Sequence, residues 1–131
     1  METLNKIEVP EYKIFNQRDL SHIGAKRYSA AVIIKADVKY LTREQVREVV
    51  ERATEELIKS KYYRDDIVAK HFGSHFADVV WLVVVARGKK TPICKTLYIN
   101  PKLPENMIPS GLSGRVERHK GRVDIVWKGG F

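Results

Sequence analysis

Residues 79–86 read Val-Val-Trp-Leu-Val-Val-Val-Ala, the longest apolar run in the chain. The run is continuous, short and mostly β-branched. Those properties predict a central strand covered on both faces, because a strand open to water on one side alternates apolar with polar. The run is also far shorter than the ~20 residues a membrane-spanning helix needs. Whatever else this chain does, it builds a sheet around this segment.

The stretch before it predicts how the sheet is covered. Residues 28–38 read as a strand. Ala30, Val32, Ile34 and Ala36 make one face at period two. On the other face Ala31 and Ile33 are apolar, whereas Lys35 and Asp37 are polar. One end of this strand is therefore expected to be buried on both sides. A helix follows. Thr42 is an N-cap with Gln45 at the position that closes a capping box, and Leu41 and Val46 stand at the two positions of a hydrophobic staple. Val46, Val49, Val50, Ala53 and Leu57 then form one apolar stripe. Glu48 and Arg52 are spaced and ordered as a favourable intrahelical pair. The helix is expected to end near Lys59. Strand, helix and central strand together fit a crossover between parallel strands.

The rest of the chain reads as shorter pieces. A second helix is expected over 62–72, with Asp65 and Asp66 near its start and Gly73 stopping it. Residues 87–90 form a turn into a strand over 92–99. Residues 100–113 hold three prolines and form a long loop that Leu103, Met107 and Ile108 pin down. A last hairpin pairs 115–118 with 122–127 around His119-Lys120-Gly121, with Val123, Ile125 and Trp127 facing inward. The first 24 residues contain enough apolar side chains for an arm or a short edge strand. The expected fold is α+β: a mixed or mostly antiparallel sheet of about five strands, with one long amphipathic helix and one short helix on one face. At 131 residues the chain is expected to be a single domain. Its lone cysteine, Cys94, points to a reducing compartment, and residues 1–6 lack the apolar core of a secretory leader, so a cytoplasmic protein is expected. With four Asn and two Gln against many Lys, Arg and Glu, the composition leans toward a heat-adapted source.

Charge is distributed unevenly. From Arg87 onward there are ten Lys or Arg against three acids, while the earlier residues are nearly balanced; the formal net charge is +8. A one-signed region attracts anions. Lys89, Lys90, Arg115, Arg118, Lys120 and Arg122 are therefore candidate contacts to nucleic acid or another polyanion, positioning phosphates rather than reading bases. Tyr98 and Trp127 are candidate stacking platforms. The competing explanation is that these cations only protect strand edges from pairing with other chains.

Four chemical alternatives are weaker. Asp65, Asp66, His71, His75 and Asp78 are donor types a divalent metal uses, and they would serve a metal-dependent hydrolase or nuclease. Yet Gly73 lies between the two histidines, and no Glu adjoins His71 to act as a base. A nuclease core using Asp78 and Lys95 lacks the acid two places before the lysine, where Ile93 stands. Cys94, as a nucleophile, would need a base beside it. The Ser110–Gly114 stretch lacks the Lys-Ser/Thr ending of a phosphate loop. The expected function is thus a non-catalytic interaction or regulatory domain, with no cofactor and no membrane partner. Homo-oligomers through sheet edges are a further expectation. A structural subunit of a larger complex is the remaining alternative, and it would expose a sizeable apolar patch.

Overall fold

The apolar run becomes an inner strand of a six-stranded sheet. A computed structural model describes residues 7–131; the leader reading made on residues 1–6 lies outside the described residues. The strands are β1 (Tyr12–Asp19), β2 (Arg27–Asp37), β3 (Val79–Arg87), β4 (Cys94–Ile99), β5 (Glu117–His119) and β6 (Val123–Trp127), in the spatial order β1-β2-β3-β4-β6-β5. The pair β2–β3 is parallel and every other pair is antiparallel. The parallel pair is joined through α1 (Arg43–Ile58) and α2 (Asp66–Phe72), which makes the expected crossover. The fold is α+β.

Local chemistry places α1. Thr42 Oγ1 accepts from the Gln45 backbone N–H at 3.1 Å, and the Gln45 side chain accepts from the Thr42 N–H at 3.0 Å. Two of the orphan donors at this helix end are thereby satisfied. Val46, Val49, Val50 and Ala53 are fully buried, and they pack on Val32, Ile34, Leu82 and Val84 of the sheet. Burial of each of these valines stabilises the fold by about 1.5–3 kcal/mol, so this layer holds the structure together. Glu48 turns away from the helical pairing expected of it. It lies 3.9 Å from Lys120 on the β5–β6 turn.

Four details differ from the sequence reading. The sheet has six strands, because the amino-terminal segment supplies a full edge strand: Tyr12 and Ile14 pair with Ile34 and Val32. An extra residue bulges this strand between Phe15 and Arg18, with Asn16 in the left-handed region at φ 58°. Helix α2 begins later than expected, since the Asp65 carboxylate accepts from the Val68 N–H and so caps it there. It contributes a single buried residue, Val68, and docks on the β1–β2 turn, where His71 Nε2 lies 3.0 Å from the Ile23 carbonyl oxygen. The closing strands are shorter than expected: β4 starts at Cys94, and β5 covers three residues.

The fourth difference matters most. The central strand is not covered on both faces. On the side away from α1, a small second cluster forms from Ala25, Val79, Leu97 and Leu103, with Trp81, Ile99, Met107 and Leu112 packed on it. The 100–113 loop therefore caps one end of that side only. Ala31, Ile33, Val83 and Val85 belong to neither cluster and stay partly exposed.

A charged clamp fixes the short β5 edge to α1. Arg47 reaches Glu117 through Nε at 2.6 Å and Nη2 at 2.9 Å, and the Trp127 indole N–H donates to the same carboxylate at 3.1 Å. Hydrogen bonding from Arg47 pulls the Glu117 carboxyl down to about 2, from an ordinary value of 4.5. A depressed carboxylate contributes stability that is complete above the unfolded value and is lost as pH falls through the folded one. The partly exposed pair is discounted for solvent screening. Glu117→Gln is then expected to lose about 1–2 kcal/mol at pH 7 and to flatten the acid limb between pH 4.5 and 2. Urea unfolding across that pH range checks it. Parallel wild-type and variant curves would show that the clamp contributes nothing.

Candidate functional site

Three cations of the last hairpin are paired with acids. Lys120 Nζ lies 3.1 Å from Glu51 and Arg122 Nη2 lies 3.1 Å from Glu55, both acids on α1. Arg118 pairs with Asp124 at 2.8 Å, across β5 and β6. Lys89 Nζ donates to the Gly129 carbonyl at 2.9 Å. Lys90 and Arg115 are exposed. The turn itself carries Lys120 at φ 50° and Gly121 at φ 68°, the geometry of a tight hairpin turn, and this points Lys120 back at α1. The candidate stacking rings face the same way. Arg122 covers Tyr98, its guanidinium 5.4 Å from the ring centre. Trp127 stacks on Phe131, with Arg43 and Arg47 over its ring.

The acids and histidines are likewise dispersed. Asp65 is a helix cap, Asp66 is exposed, and His71 contacts a backbone carbonyl. His75 lies 3.3 Å from Asp78, which is buried and accepts from the Lys26 N–H at 2.9 Å and the Asn100 amide at 3.1 Å. Among the described residues, no three His, Cys, Asp or Glu side chains gather as a metal would need. Asp78 is thus a structural hub. Ile93 is fully buried, and Lys95 points to the opposite face of the sheet from Cys94. Burial pushes the Cys94 thiol up to about 12, leaving almost no thiolate to react at neutral pH. The Ser110–Gly114 stretch is mostly exposed loop.

The uncovered side of the sheet is the surface that the sequence reading missed. Strand register arranges it in rows. One row runs Lys13, Ile33, Val85 across β1, β2 and β3. The next runs Phe15, Ala31, Val83, Lys95, Val126 from β1 to β6. The third runs Arg18, Ser29, Trp81, Leu97, Asp124, Arg118. Lys35 and Arg87 stand at the upper end, where the Arg87 guanidinium donates to the Lys35 carbonyl at 3.0 Å. Lys13, Arg18, Lys35, Arg87 and Lys95 are all exposed. The one carboxylate in these rows is Asp124, already paired with Arg118. Glu11 lies 3.5 Å from Lys35 at the strand edge. Among the described residues, no carboxylate pairs with Lys13, Arg18 or Lys95. Phe15 and Trp81 sit two strands and one row apart; Trp81 also has Arg27 6.0 Å from its ring centre. Strand and row spacings put their Cα atoms about 12 Å apart.

The signal for this surface was present in the sequence, as alternating positions 31, 33, 83 and 85 that are apolar where an open face would be polar. Apolarity at these positions fits coverage equally well, and the balanced charge of the segment around Lys13 and Arg18 does not single them out. A separate apolar cleft of about 340 Å³ lies between α2 and the β1–β2 turn, where Ile23 and Ile67 are 84% and 81% exposed. None of the described helices is long and apolar enough to cross a membrane.

What the fold and surface define is a class, an α+β domain with one helix-covered and one half-open sheet face. Comparison with protein-family models, curated proteins and solved structures finds no match to this chain.

Proposed function

We propose that this protein is a non-catalytic binding domain that takes a polyanion on its open sheet face. One observation carries the reading: Lys13, Arg18, Arg87 and Lys95 are exposed around a partly uncovered sheet surface and, among the described residues, pair with no carboxylate, while Lys120 and Arg122 of the hairpin are tied to acids of α1. Paired cations contribute little field at a distance; unpaired ones of one sign add. The polyanion expectation is therefore kept, and its place moves from the hairpin to the sheet.

Elution from a heparin column at rising salt tests it. The variant Lys13→Ala/Arg18→Ala/Lys95→Ala is compared with Arg115→Ala/Lys120→Ala/Arg122→Ala, which removes the same formal charge. The first is expected to elute at clearly lower salt than the second. Its binding should also show a log-log salt slope smaller by about 2, as the loss of three phosphate-like contacts predicts. The reverse order would return the site to the hairpin. Failure of the wild type to bind at low salt would end the polyanion reading.

A further inference from the structure

Resting on that reading, we infer that the polyanion is a single strand of nucleic acid, with bases stacked on Phe15 and Trp81 and phosphates along the flanking cations. Charge alone does not choose among polyanions; the middle of the surface does. It is largely apolar: Ala31 and Val83 lie between the two rings, Ile33 and Val85 extend the patch in the next row, and Ser29 supplies the one hydroxyl beside them. A polyphosphate or a sulfated sugar is charged and hydrated along its whole length and would gain nothing from that area. Duplex nucleic acid keeps its bases inside and shows the surface only phosphate and sugar. A single strand alone combines regularly spaced anions with flat apolar faces, and aromatic side chains on a sheet are a general means of stacking such bases.

The geometry meets both needs. The rings project from β1 and β3, with about 12 Å between their Cα atoms, a span that bases two nucleotides apart on an extended strand can bridge. Lys13 and Arg18 flank Phe15 along β1, and Lys95 lies on the far side, directly across from Val83. Cations therefore stand on both sides of the rings, where a backbone would run. A second copy of this chain is a poor occupant, because two such faces brought together would oppose like charges. An acidic peptide satisfies the charge but offers no flat rings, and it becomes an arm of the test.

Tryptophan emission reads the contact. The chain holds two tryptophans, and Trp127→Phe leaves Trp81 as the reporter. Four probes are titrated into this protein: oligothymidine, inorganic polyphosphate, polyglutamate and a mixed-sequence duplex. Quenching of Trp81 by oligothymidine alone is expected, with binding tighter than to the other three. Phe15→Ala is expected to weaken oligothymidine about tenfold or more while leaving polyphosphate unchanged, as loss of one stacked base predicts. Trp81→Leu, followed by fluorescence anisotropy of labelled oligothymidine, should do the same. If Trp81→Leu fails to fold, Phe15→Ala carries the test, since Phe15 lies in neither core cluster. Equal affinity for polyphosphate, polyglutamate or duplex, or indifference to Phe15→Ala, would overturn the single-strand inference and leave the polyanion reading standing. Binding of none of the four would remove both.

Discussion

Lys26→Ala is expected to destabilise the protein by about 4 kcal/mol, the largest effect of any charged residue. Lys26 is fully buried. Its ammonium donates to the carbonyls of Ser60 at 2.6 Å and His75 at 2.5 Å, and it sits 4.9 Å from the Tyr63 ring centre. One side chain from the start of β2 thus ties down the end of the α1 segment and the loop after α2. Burial lowers its proton affinity, and the charges of Asp19 and Asp78 oppose that shift. Truncation leaves two carbonyls without a donor and opens a cavity, and these costs add. Lys26→Met restores most of the volume without the charge, so it should recover roughly half the loss. Urea unfolding measures both. A loss under about 1 kcal/mol for the alanine variant would mean that the ammonium reaches water by another route.

Asp78→Ala is expected to cost about 3 kcal/mol. The carboxylate is 5% exposed and accepts from the Lys26 backbone and the Asn100 side chain. It joins the β1–β2 turn, the start of β3 and the loop after β4. Without it, the Lys26 N–H is left buried and unpaired. Because Lys26 and Asp78 share a contact, the double variant should lose less than the two single losses combined. The same experiment separates this role from the metal reading. Zinc or manganese in excess should leave the wild-type melting temperature unchanged, since an ion bound only by the folded state would raise it. A metal-dependent rise abolished by Asp78→Ala would restore Asp78 as a ligand.

The legible parts of the fold are those made by neighbours in sequence. The box of Thr42 and Gln45, the stripe from Val46 to Leu57, and the stop at Gly73 all appear where the residues ask for them. The run at 79–86 is an inner strand, as its β-branched content requires. The starts of α2 and β5 were displaced because one cap, Asp65, and one tight turn at Lys120-Gly121 outweighed the looser apolar pattern around them. The candidate surface fared worse. An apolar position at 33 or 83 looks the same in sequence whether a loop covers it or it stays open. Only the reach of the 100–113 loop, whose cluster extends to Val79, Leu97 and one side of Trp81 and leaves Ile33 and Val83 out, separates the two cases.

Capping, periodicity and turn chemistry act within a few positions, so composition and order were enough to specify each helix, each inner strand and the α+β class. The positive sign of the chain was likewise plain before any coordinates. The placement of free charge was not. Lys120 meets Glu51 and Arg122 meets Glu55 across nearly seventy positions, and Lys13 comes level with Val85 only because β1 and β3 share β2 as a neighbour. Coulomb interactions depend on distance in space and not along the chain, so which cations are neutralised and which stay unpaired is decided by tertiary structure.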